Sequence, residues 1–192
     1  MASRNFRQWA ALVLFGAIAL CGGCSPGASE YVRDDVDFSF IRRVAVYPFF
    51  NLTQDIFAAQ KVQSIFVTEI LGTGELEVVD RGEMLAAVAE LKLAPDMILS
   101  PQQVIALAKR LEVDALFFGT VEEYGLERSS NNPTHVVTVN YQLSEAETGR
   151  TVWSSQSRTD GGSLARKLFG GGTASLYDVT RANVRAAMGT LF

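Results

Sequence analysis

Cysteine is almost missing from this chain: of 192 residues only Cys21 and Cys24 carry a thiol, both at the end of an apolar N-terminal stretch. That excludes a disulfide framework and a thiolate cage for zinc or an iron–sulfur centre. The C-x-x-C spacing is that of a redox pair, but such pairs open a helix after a strand, and this one closes a leader-like segment. Histidine occurs once, as His135 beside a turn. A general base needs a positioned partner, none stands near it in sequence, and a solvated surface position is expected. No run of Lys and Arg exists, and the formal charge is −4. Nucleic acid, whose phosphates need a concentrated basic face, is therefore not an expected partner. Serines such as Ser163 lack a nucleophile-elbow context. The GGGTAS stretch at 170–175 lacks the Lys-Ser/Thr of a phosphate loop and reads as a hinge. Glu122, Glu123 and Glu127 match no calcium-loop spacing. The residues thus call for no catalytic constellation, metal or cofactor, and the expectation is a protein that is not an enzyme.

What is present begins with an address. Residues 1–8 (MASRNFRQ) hold two arginines and no acid, residues 9–20 (WAALVLFGAIAL) are apolar or small, and CGGC follows. This is the order of a secretory signal, and the apolar part is short of the roughly 20 residues a spanning helix needs. The segment resembles a lipobox: Gly22 and Gly23 fill the small positions before Cys24, although Cys21 stands where Leu is usual and Leu20 lies one place further back. The resemblance implies cleavage before Cys24 and acylation of that residue. Ser25, where Asp would favour inner-membrane retention, implies the periplasmic face of the outer membrane. Residues 1–23 are read as signal peptide, 24–40 as lipidated tether and linker, and 41–192 as the folded domain. Without Arg4 and Arg7, 15 basic residues face 21 acidic ones.

The domain reads as α/β or α+β. Residues 43–50 (RVAVYPFF) are a nearly continuous apolar run, as in a strand covered on both faces, ending near Pro48. Asn51 offers a cap for a helix from about Gln54 to Leu71, whose apolar residues recur at three- and four-residue steps until Gly72 and Gly74. Residues 76–80 read as a strand and 82–91 as a helix. Ser100, Pro101 and Gln103 form a capping box with Pro at the first helical position. Residues 114–121 are a buried strand whose extension, 122–128, turns polar. Residues 137–143 alternate Val, Val, Tyr, Leu against Thr, Asn, Gln, as a half-buried antiparallel strand does. Thr148-Gly149 turns it toward Val152 and Trp153, and a last helix holds Leu176, Val179, Val184, Met188 and Leu191. The expected order is β-α-β-α-α-β-β-β-α, with a mixed sheet of about five strands.

These pieces in this order resemble the periplasmic lipoprotein superfamily of CsgG, LpoB and the N-terminal domain of TolB. The residues carrying the resemblance are Val44-Ala45-Val46 with Pro48-Phe49, Asn51 and Thr53, Val78 to Arg81, Leu111 to Asp114, Phe118 to Val121, and Glu147-Thr148-Gly149 with Trp153. They are fold-forming, so the resemblance implies a fold before a task. Pore-forming members insert hairpins of roughly 9–11 residues per strand, which this chain has no room for between its third and fourth strands. A non-enzymatic outer-membrane lipoprotein is expected, an accessory in assembly or secretion of a cell-envelope structure, acting through an envelope protein partner and possible homo-oligomers. Its candidate partner surface is Glu122, Glu123, Tyr124, Glu127 and Arg128. The alternatives are an LpoB-like activator of a peptidoglycan synthase or a small-ligand-binding periplasmic domain. Against the activator stands a tether of under twenty residues, some 50–60 Å extended at roughly 3.3–3.6 Å per residue.

Overall fold

The computed structural model describes residues 29–32, 38–95, 97–127, 133–162 and 174–191. It is a mixed α+β fold with one seven-stranded sheet. In chain order the strands are β1 (Ser29–Val32), β2 (Arg43–Val46), β3 (Phe50–Asn51), β4 (Glu77–Val78), β5 (Ala115–Glu127), β6 (Thr134–Glu145) and β7 (Thr151–Asp160). The helices are α1 (Ala58–Thr73), α2 (Arg81–Glu90), α3 (Pro101–Leu111) and α4 (Leu176–Met188). Across the sheet the order is β1-β7-β6-β5-β2-β4, with β3 also pairing with β5. The β2, β3, β4 side is parallel; β5, β6 and β7 form an antiparallel meander to which β1 adds an antiparallel edge.

Seven strands replace the expected five, and both additions have a physical cause. Pro48 has no N–H to give a ladder, so β2 stops at Val46 and the chain resumes pairing as β3, opposite Thr120 and Val121. β1 lies in the stretch expected to be linker. Its four residues, SEYV, are too few and too polar to show a strand period, yet their backbone pairs with Trp153 to Gln156 of β7.

The alternation in β6 is realised as expected: Val137, Val139, Tyr141 and Leu143 are buried, each at 1% exposure or less. They join Phe66, Phe117 and Trp153 in a core roofed by α1 and α4. On the opposite face Ala45, Tyr47 and Leu116 pack beneath α2 and α3. Helix ends follow their local chemistry. The Ser100–Gln103 capping box is formed, Asp80 accepts from the Gly82 N–H at 2.6 Å, and Gly74 closes α1 at φ 71°. Asn51 does not cap α1, which starts later than expected, at Ala58, behind Phe57. Its amide instead ties the preceding loop, accepting from the Thr53 N–H at 3.0 Å and donating to the Asp55 carbonyl at 2.9 Å. Gly119 is required by close approach: a Cβ there would stand 2.6 Å from the Phe49 ring.

One polar side chain crosses the core. Asn183 of α4 donates to the carbonyls of Val137 (3.0 Å) and Ser157 (2.7 Å) and accepts from the Tyr141 hydroxyl at 3.0 Å. Asn183 and Tyr141 are both fully buried, and burial pushes the Tyr141 phenol far above its ordinary pKa.

Candidate functional site

The two faces of the sheet are covered unequally. α1 and α4 roof one face from β4 to β7, whereas α2 and α3 pack chiefly against β2 and β5 on the other. On that second face Asn140, Gln142, Ser154, Gln156 and Arg158 of β6 and β7 are polar and at least partly exposed, while Val136, Thr138 and Ser144 of β6 are buried. The period-2 alternation of β6 produces this uncovered surface directly.

Glu122 is the extra residue of a bulge between Val121 and Glu123. A bulge opposes two residues to one on the partner strand, and here both glutamates reach the open face. Glu122 accepts from the Gln156 amide at 3.0 Å. Glu123 accepts from the Thr138 hydroxyl and from Arg158 at 3.1 Å, and Glu127 accepts from Arg158 at 3.0 Å. The Thr138 hydrogen bond, then Arg158, holds the Glu123 carboxyl below its ordinary range. Strand alternation sends Tyr124 to the opposite face, where it packs against the main core and the Lys61 ammonium lies 5.6 Å from its ring centre. The structure therefore brings together Glu122, Glu123 and Glu127 and separates Tyr124 from them. Arg128 lies outside the described residues, as does Cys24.

A groove of about 430 Å³ opens at the margin of the uncovered face, where α3 begins. Tyr47, Phe50, Met97, Phe118, Gln142 and Arg150 line it, and Ile98, 91% exposed, stands on its rim. This groove is not among the surfaces expected from the residues alone. Its signal is Met97-Ile98-Leu99, an apolar run between two helices where a solvated loop needs none.

No protein-family model matches the sequence, and no curated protein does. Solved structures do. The PelC dodecamer from Paraburkholderia phytofirmans aligns at TM-score 0.59 and 16% identity, over 86% of this chain and 96% of that one. Lipoprotein GNA1162 from Neisseria meningitidis aligns at 0.57 and 18%, over 78% and 97%. The LpoB C-terminal domain from Salmonella enterica is a looser match, at 0.49 and 17%, over 66% and 86%. At such identities PelC and GNA1162 show a shared fold. The resemblance to CsgG and TolB rests on the order of motifs in the sequence.

His135 departs from its expected surface position. It is half-buried, and its Nδ1 is buried without a hydrogen-bond partner among the described residues. No group of three or more metal-ligating side chains occurs among the described residues, and no helix there is long and apolar enough to cross a membrane.

Proposed function

We propose that this protein is a lipoprotein held at the periplasmic face of the outer membrane through acylated Cys24. There it acts without catalysis, as an accessory in assembling or exporting a cell-envelope structure. The observation that carries the reading is the coupling of a lipobox-like address to a domain whose sheet keeps one face open over β6 and β7. The open face is polar and hydrogen-bonding, so it is stable in water and able to recognise a protein surface by charge and hydrogen bonds. The shared fold with a named lipoprotein and with a dodecamer supports envelope residence and self-association. An LpoB-like activator is the weaker reading, because β1 starts at Ser29, only four residues separate Cys24 from the sheet, and such a span is short for crossing the wall.

In-cell crosslinking of the wild-type protein, followed by mass spectrometry of the adducts, tests this. Capture of further copies of the chain together with export or assembly components is the expected result. Capture of a peptidoglycan synthase without self-adducts, or fractionation of the wild type with soluble periplasm, overturns it.

A further inference from the structure

The position of β1 has a geometric consequence for how the domain meets the membrane. Ser29 pairs with Gln156 and Val32 with Trp153, so β1 runs antiparallel to β7. Traced backward, the chain leaves β1 toward the Asp160 end of β7. That is the end where Glu127 pairs with Thr134 and Val136 with Asp160. Between Cys24 and Ser29 lie four residues, 25–28, which reach roughly 17 Å at most at about 3.3–3.6 Å per residue. A domain on so short a leash cannot present an arbitrary side to the surface that holds it.

Five of the exposed large apolar side chains of the described residues lie toward this end. Leu126 near the tip of β5 is 50% exposed and Tyr177 in the first turn of α4 is 56% exposed. In the loop leading into α1, set back along β5 from Leu126, Leu52, Ile56 and Phe57 are 60%, 79% and 55% exposed. Three contacts fix their level. Leu52 N–H donates to the Val121 carbonyl, Lys61 in the next turn of α1 lies over Tyr124, and Asn183, two turns into α4, reaches Val137, which pairs with Tyr124. Charges around them are mixed, with Lys61 paired to Asp55 at 2.9 Å and Arg158 to Glu123 and Glu127.

We propose that this end of the molecule, with Leu52, Ile56, Phe57, Leu126 and Tyr177, rests on the phospholipid surface that Cys24 is anchored in. The inference rests on the lipoprotein reading and adds an orientation to it. Apolar side chains at a bilayer interface sink about 5–10 Å into the headgroup–acyl boundary. Contact made in this way depends on burial of apolar area and little on salt. The Thr148-Gly149 turn and the groove beside α3 then face away from the membrane, toward periplasmic partners.

The test uses the full precursor, processed in cells and purified, with one added cysteine for a fluorophore at Ile56, Leu126 or Thr148. The proteins are reconstituted in vesicles of phosphatidylethanolamine and phosphatidylglycerol carrying a headgroup nitroxide. Mass spectrometry of the N-terminal peptide first reports whether Cys24 is acylated. Quenching at Ile56→Cys and Leu126→Cys should exceed that at Thr148→Cys by roughly twofold or more, given an interfacial depth of about 5–10 Å. It should persist in high salt and fall when twenty Gly-Ser residues are inserted after Ser25. An acylated protein with equal quenching at all three positions, or most at Thr148→Cys, overturns the orientation and leaves the anchored reading standing. An unacylated Cys24 overturns both.

Discussion

At the scale of single residues, the fold depends on a few polar side chains whose partners are fixed. Asn183 satisfies two backbone carbonyls and one phenol inside the core. Asn183→Ala removes one side chain and strands three polar groups, each of which costs about 1–3 kcal/mol when left unpaired and buried. Urea unfolding should therefore show a loss of roughly 3 kcal/mol or more, and a smaller loss for Tyr141→Phe, which strands one group, the buried Asn183 Oδ1, in place of three. Equal losses would mean that packing, not hydrogen bonding, sets the cost. Glu69 gives a pH dependence. Burial alone would raise its pKa, but Arg185 at 2.6 Å and Arg181 at 2.7 Å overcome that and hold it below the ordinary 4.5. A depressed carboxylate contributes stability that is complete above its unfolded pKa and lost as pH falls through the folded one. Stability of the wild type should thus decline from about pH 4.5 downward by more than that of Glu69→Gln, with the two curves parallel at neutral pH.

At the scale of elements, what could be read from the residues was whatever has a period or a punctuation mark. β6 announced its buried face by strict alternation, α3 its start by Ser100, Pro101 and Gln103, and α1 its end by Gly74. Short elements have neither, which is why β1 and β3 were not foreseen: two to four residues of pairing depend on what the partner strand offers. Asn51 shows the same limit, since a side chain able to cap a helix serves equally well to tie a loop. The glutamates of the candidate surface were recognisable as a polar extension of a buried strand. The bulge that turns Glu122 and Glu123 to one face, and the alternation that sends Tyr124 to the other, emerge only from the register with β6. One element end also carries removable strain. Glu112 closes α3 in the left-handed region at φ 54°, where a Cβ is disfavoured and glycine is not. Its side chain is exposed, so Glu112→Gly should stabilise the protein by roughly 0.5–1 kcal/mol despite the looser unfolded chain. A lower midpoint in thermal unfolding would show that the Glu112 side chain contributes more than its backbone conformation costs.

At the scale of the whole molecule, the inequality between the two sheet faces separates stability from recognition. Side chains under α1 and α4 hold the fold together. Asn140 and Gln156 on the open face, and Gln142 at its margin beside the start of α3, contribute little to it, because exposed polar positions on a strand change stability by about half a kcal/mol or less. If the open face is where another protein packs, a charge there must be desolvated at the interface, which costs several kcal/mol when no counter-charge waits for it. Gln142→Arg should therefore unfold within about 0.5 kcal/mol of the wild type while reducing in-cell crosslinked adducts by an order of magnitude or more. A control at Leu71, exposed on α1 at the far side of the sheet, distinguishes a local effect from a general one: Leu71→Arg should leave the adducts unchanged. Should Leu71→Arg abolish them while Gln142→Arg does not, the binding surface lies on the helical side, and the open sheet face is simply hydrated.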